Sequence, residues 1–114
     1  MKLLALIFLL ATSTLAYAED WKDLTGIYAI TPEDYLDPPR DQKNDSHFRL
    51  QLTGDSARDL YNSMSVEPIE DECTGGMAKN IQQMRCLYFA SDGTYECHFS
   101  INIAEQKIEY GIAC

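Results

Sequence analysis

Apolar and polar side chains alternate along residues 47–52, with the apolar ones at the even positions. A period of two residues is typical of a strand with one buried face. Downstream the spacing lengthens to three and four residues, in the stripe Ala57, Leu60, Tyr61 and Met64. This stripe predicts an amphipathic helix that follows an N-cap at Thr53 and ends near residues 63–65.

Four other segments have the composition of strands, at residues 26–30, 81–89, 95–103 and 107–114. They are rich in β-branched and aromatic residues, which favour a pleated, half-buried surface. The turn-forming residues at 90–93 join two of them into a hairpin. The sequence therefore predicts a small α+β domain, with an antiparallel sheet of about five strands and one packed helix.

The last two predicted strands fit a single register. If Ile103 faces Ile108, the pairs that follow are Ile101 with Tyr110, Phe99 with Ile112 and Cys97 with Cys114. These eight side chains would all lie on one face of the sheet, because successive residues of a strand alternate between faces. The other face would carry His98, Ser100, Asn102 and Glu109.

The N-terminus has the pattern of a secretory signal peptide. Lys2 precedes an apolar run at residues 3–11, and Ala16-Tyr17-Ala18 supplies the small residues of a cleavage site. The run is too short to span a bilayer. The sequence thus predicts a signal peptide at residues 1–18, cleavage near Ala18, and one periplasmic or secreted domain at residues 19–114.

The four cysteines of an exported domain this small predict two disulfides. Four cysteines allow three pairings, and the register above favours Cys97–Cys114, which leaves Cys73–Cys86. The competing pairing is Cys73–Cys114 with Cys86–Cys97, which would staple the hairpin across its turn. The spacing matches neither a C-x-x-C redox motif nor a zinc knuckle, so no metal or cofactor is expected.

The charge of the chain favours some classes of partner over others. The net charge is −9, and without Lys2 the remaining 8 Lys and Arg face 18 Asp and Glu, a side-chain charge of −10. Nucleic acids and anionic membranes attract basic protein surfaces, so neither is an expected partner of this acidic chain. A cationic protein would be steered towards this chain, although acidity also serves solubility alone.

The sequence contains no recognisable catalytic arrangement. No G-x-S-x-G elbow occurs, the thiols are expected to be oxidised, and the two histidines lie on predicted strands. The many carboxylates discriminate nothing in so acidic a chain. The domain is therefore expected not to be an enzyme.

A binding function remains, and the favoured hypothesis is a periplasmic inhibitor or immunity-type protein against a basic, lysozyme-like cell-wall hydrolase. Two acidic segments, the loop at residues 34–45 and the cluster at residues 67–72, are the predicted contact surfaces, with Tyr35 or Leu36 as the buried anchor. The candidate contact residues are Asp34, Tyr35, Leu36, Asp37, Arg40, Asp41, Glu67, Glu70, Asp71 and Glu72. The alternatives are solvated loops without function, an envelope module for a small ligand or cation, or an assembly protein that pairs through a strand edge. The chain would be a monomer or a symmetric dimer.

Overall fold

The computed structural model describes residues 20–32 and 45–111, so the predicted signal peptide lies outside the described residues. Within these ranges the chain forms seven strands and one helix. The elements are β1 (Gly26–Thr31), β2 (His47–Thr53), α1 (Gly54–Ser63), β3 (Ile69–Glu70), β4 (Met77–Ile81), β5 (Met84–Phe89), β6 (Thr94–Asn102) and β7 (Lys107–Tyr110).

The strands form one antiparallel sheet in the order β1-β2-β6-β5-β4-β3. β5 and β7 lie on the same side of β6. β5 pairs with the first half of β6, and β7 pairs with the second half. The sheet carries α1 on one face, which confirms the predicted α+β class. The prediction of about five strands was wrong, because the described residues form seven.

Of the two unpredicted strands, β4 forms with β5 a hairpin that has no conventional turn residue, and β3 pairs with β4. Ile81 pairs directly with Met84, so only Gln82 and Gln83 connect β4 to β5. Gln82 has a φ of 52°, a conformation in which glycine or asparagine is usual. The continuous strand predicted at 81–89 is thus split, and β3 and β4 occupy a stretch that was predicted to be irregular.

The helix is confirmed close to its predicted bounds, with Thr53 at the N-cap position. The Thr53 side chain makes no capping hydrogen bond, so only its position matches the prediction. Three residues of the predicted stripe are buried in the core, Ala57, Tyr61 and Met64, and Leu60 packs against them. The last helical turn contains no basic residue. Instead Lys79 of β4 donates to the carbonyl oxygens of Tyr61 and Met64, at 3.1 and 3.2 Å, and places its positive charge at the helix C-terminus.

The register of the last two strands is shifted by two residues from the predicted one. Ile101 lies opposite Ile108, and Phe99 lies opposite Tyr110. The turn explains the shift, because the Asn102 side chain accepts the Glu105 N–H at 3.0 Å and fixes a four-residue turn after β6. A shift of two residues leaves every side chain on its predicted face, since the strand period is two.

The disulfide also differs from the favoured one, because β5 and not the last strand pairs with β6 at Cys97. Cys97 lies opposite Cys86 on β5, and the two are bonded, with their Cα atoms 4.0 Å apart. The favoured pairs Cys97–Cys114 and Cys73–Cys86 were therefore wrong, and the described residues contain one disulfide where two were predicted. Cys86–Cys97 is one of the two bonds of the competing pairing. The other bond of that pairing, Cys73–Cys114, involves Cys114, which lies outside the described residues. No cysteine in the described ranges is free.

Candidate binding surface

The helix covers only half of the sheet face on which it packs, and no other described element covers the apolar surface of the other half. The strand register aligns eight side chains there in two cross-strand rows, which together we call the apolar face. One row is Ile30, Phe48, Ile101 and Ile108, and the other is Tyr28, Leu50, Phe99 and Tyr110. None of these side chains is charged.

The apolar face is exposed over most of its extent. Five of its members are exposed, and the remaining three are half-buried. The rings of Tyr28 and Phe48 stack with centroids 5.1 Å apart, so part of the face is already packed on itself. Contiguous exposed apolar surface of several hundred Å² is uncommon on a monomeric protein and is typical of interaction sites.

The acidic segment at residues 33–44 starts and ends at the rim of this face. Pro32 precedes the segment and Asp45 follows it, and the flanking residues are held in the sheet by a 2.9 Å hydrogen bond from Ser46 N to Thr31 O. Ile30 and Phe48, at the end of the apolar face, come one residue before Thr31 and two residues after Ser46. The predicted contact residues Asp34, Tyr35, Leu36, Asp37, Arg40 and Asp41 belong to this segment and lie outside the described residues.

A buried polar cluster lies on the opposite side of the sheet, directly behind the apolar face. His47 Nε2 lies 2.8 Å from Glu109 Oε2, and Asn102 donates to the other Glu109 oxygen at 3.1 Å. The Ser46 hydroxyl completes the cluster, 2.8 Å from His47 Nδ1. These contacts join β2, β6 and β7, so the strands that carry the apolar face are cross-linked by hydrogen bonds from behind.

The same cluster makes part of the stability depend on pH. The hydrogen bond from His47, followed by that from Asn102, holds the pKa of Glu109 below its usual value near 4.5. Because the folded pKa is depressed, this stabilisation is fully present above the unfolded pKa and is lost as the pH falls through the folded one. We expect Glu109→Gln to lower the free energy of unfolding at pH 7, and to lower it by less at pH 3. Urea denaturation at both pH values measures the difference.

The exposed Glu72 provides the matched control, since no cation lies within 4.0 Å of its carboxylate in the described ranges. Glu72→Gln should follow the wild-type pH dependence. Equal losses of stability at pH 7 and pH 3 in Glu109→Gln would contradict an ionised Glu109 as the cause.

The second predicted contact surface surrounds β3, and its acidic residues differ in their roles. Glu67, Glu70 and Glu72 are exposed. Asp71 is buried, accepts the Thr74 hydroxyl at 2.5 Å and forms an ion pair with Arg85. The Thr74 hydrogen bond, with the Arg85 charge, holds the pKa of the Asp71 carboxyl below its usual range. Asp71 thus organises the turn between β3 and β4.

The two ends of the 33–44 segment and the acidic residues around β3 lie at opposite edges of the sheet. The strand order places β1 at one edge of the sheet and β3 at the other, five strand spacings away. At about 4.8 Å per spacing, the two edges are separated by roughly 24 Å. The apolar face adjoins the β1–β2 edge, where the 33–44 segment begins and ends. It is therefore distant from β3.

The described residues also contain a shallow pocket of about 170 Å³ on the polar side of the sheet. Ile27 and Ala29 line it together with Arg49, Gln51 and His98. Ligand pockets for small molecules usually measure about 300–1,000 Å³, so this one is small for that purpose. Within the same ranges no cluster of three or more His, Cys, Asp or Glu side chains could hold a metal ion.

Sequence reasoning missed the apolar face because it expected the apolar side of β2 to be buried along its whole length. The even positions of β2 were correctly predicted to point one way, but α1 is only ten residues long. At 1.5 Å per residue it spans about 15 Å and cannot cover strands that extend beyond it. The excess of strand length over helix length is the signal that could have revealed the uncovered half.

No helix in the described ranges has both the length and the apolar character needed to cross a membrane. Comparison with known protein families, with curated proteins and with solved structures finds no match for this chain.

Proposed function

We propose that the protein is a small protein-binding module that inhibits a basic, lysozyme-like hydrolase of the cell wall. The observation that carries this proposal is the exposed, uncharged apolar face next to the two ends of an acidic segment. An apolar centre with a charged rim is the usual organisation of a protein–protein interface. The compartment rests on the predicted export of the chain.

The apolar face supplies what a binding site needs in its centre. Tyr28 and Tyr110 are exposed at opposite ends of one row, and aromatic side chains are enriched among the residues that dominate binding energy. The face lies on strands that the His47–Glu109 cluster holds from behind. A rigid surface loses little conformational entropy when a partner binds, which favours affinity.

The acidic residues supply the attraction to a basic partner. The segment at 33–44 contains Glu33, Asp34, Asp37 and Asp41 against two cations, Arg40 and Lys43. At the far edge, Glu67, Glu70 and Glu72 add exposed negative charge with no cation within 4.0 Å in the described part of the chain. Charges outside the contact raise the association rate, whereas the buried centre determines how long the complex lasts.

The test is binding of the oxidised protein to a panel of basic peptidoglycan hydrolases, beginning with a chicken-type lysozyme. Calorimetry at low and high salt and a cell-wall lysis assay provide the two readouts. We expect complex formation that weakens with salt and suppresses lysis. Ile108→Lys, in the apolar face, should raise the Kd by at least about tenfold, because it places a charge in the interface centre.

Ile69→Lys is the matched control, since the same change is made at an exposed isoleucine of β3. It should alter the association rate slightly and leave the dissociation rate near that of the unmodified protein. Equal effects of the two substitutions would remove the apolar face from the interface. Absence of binding to every hydrolase of the panel would overturn the proposed function.

A further inference from the structure

The strand at the β1 edge has an open side. In the described residues β1 pairs with β2 alone, and it is the first strand of the sheet order. The carbonyl oxygens of Thr25 and Thr31 both accept hydrogen bonds from the β2 side, at 3.0 and 2.9 Å. Since backbone groups of successive residues point to opposite sides of a strand, those of Tyr28 and Ile30 point away from the sheet.

This edge lacks the features that usually prevent strand pairing. Residues 24–31 contain no charge and no proline, whereas charged residues and prolines commonly protect edge strands. At the other edge β3 has only two residues, and Glu70 is one of them. β7 pairs with β6 alone among the described strands and so has an unpaired side as well, but it carries Lys107 and Glu109. Of the described edges only that of β1 is long and uncharged, and so suited to accept another strand.

The β1 sequence is complementary to itself in an antiparallel register centred on Tyr28. Tyr28 would lie opposite its own copy, and Ile30 opposite Gly26, which has no side chain. On the polar side of the sheet Ile27 would lie opposite Ala29, so each isoleucine of β1 meets a small residue. Gly26 is required where it stands, because a Cβ there would lie 2.3 Å from the Gln51 carbonyl oxygen.

The exposed apolar area at this edge is large enough for a stable contact. Trp21 is 87% exposed, and Ile27 and Tyr28 are each 68% exposed. A tryptophan and a tyrosine can bury about 150–250 Å² each. Together with the exposed Leu24 and Ile30, the edge offers a substantial part of the roughly 800 Å² per partner of a standard interface.

We propose that the protein forms a two-fold symmetric dimer by antiparallel pairing of β1 with β1 of a second copy. The two sheets become one, and the Tyr28 and Ile30 side chains of both copies meet on the apolar side. Growth stops at two copies, because each β1 has one open side and the short, acidic β3 edges lie at the outer ends. The dimer presents two apolar faces. Its formation does not require that the partner of the apolar face be a hydrolase.

Sedimentation velocity of the oxidised protein over a range of concentrations and salt tests the pairing. We expect a monomer–dimer equilibrium that shifts towards dimer as salt rises, because salt screens the repulsion between two chains of net charge −9. Ile27→Glu, on β1 but outside the apolar face, should raise the dimer Kd by about tenfold or more. The unfolding midpoint of this variant should stay near wild type, since Ile27 is exposed.

Ile108→Glu carries the same charge change on the apolar face, far from β1, and should leave the dimer Kd within about twofold. Loss of the dimer in Ile108→Glu with retention in Ile27→Glu would show packing of one apolar face on another and would overturn edge pairing. A protein that remains monomeric at about 1 mM would also overturn it. Neither result bears on the hydrolase proposal, which is read from binding to a different protein.

Discussion

Tyr61→Ala should lower the free energy of unfolding by about 3–5 kcal/mol, the range for removal of a large ring from a packed core. Tyr61 is buried and lies between α1 and the sheet. Its ring contacts those of Tyr95 and Tyr88, with centroids 5.4 and 6.3 Å away. Lys79 Nζ lies 4.4 Å from the centroid of the same ring, so the substitution also removes a cation–π contact.

Two further variants separate the causes of this loss. Tyr61→Phe keeps the ring and removes only the hydroxyl, so it should stay within about 1 kcal/mol of wild type. Tyr110→Ala makes the same truncation at an exposed tyrosine and should cost about 0.5 kcal/mol or less. The measurement is urea denaturation of all three proteins. A Tyr61→Ala protein as stable as Tyr110→Ala would contradict the placement of Tyr61 in the core.

The sequence alone was sufficient for the helix and for the faces of the central strands. The stripe that contains Ala57 and Tyr61 has only one periodic interpretation, and both residues are buried where it places them. The alternation of β2 predicts which side chains share one face of the sheet, and the register confirms it. These features are local, so short-range spacing decides them.

Features that depend on turns were not predictable to the same extent. Gln82 adopts a positive φ without being glycine, and so the β4–β5 hairpin gave no signal in the sequence. The final turn was placed one residue late, since the hydrogen bond of the Asn102 side chain cannot be seen in a hydrophobic pattern. The predicted last strand also ran on to Cys114, whereas β7 ends at Tyr110 and β5 places Cys86 opposite Cys97.

The candidate site was predictable only in its acidic parts. Charge clusters such as Glu67–Glu72 are visible in any sequence, but their distance from the 33–44 segment depends on strand order, which spacing alone does not determine. The apolar face depends on what a ten-residue helix leaves uncovered. Exposure of Ile108 and Tyr110 is thus a property of the assembled sheet and not of either strand alone.

The corrected disulfide leads to the second large effect. Replacing both Cys86 and Cys97 by alanine should lower the free energy of unfolding by about 3 kcal/mol, because a cross-link between residues 11 apart restricts the unfolded chain. Both side chains are fully buried beneath α1, so lost packing adds to the effect. Both must be replaced, since a single unpaired thiol can exchange with other disulfides.

Denaturation without reductant measures the loss, and peptide mapping identifies the bond itself. Cleavage after Glu96 separates Cys86 from Cys97 in the sequence, so a non-reduced digest should contain a peptide pair joined through these two cysteines. Recovery of Cys97 joined to Cys114 would instead restore the register first predicted from the sequence. In that case Cys97 would not lie opposite Cys86, and Ile101 and Ile108 would no longer be cross-strand neighbours on the apolar face. The identity of the cysteine bonded to Cys97 therefore tests the strand register on which the proposed binding surface depends.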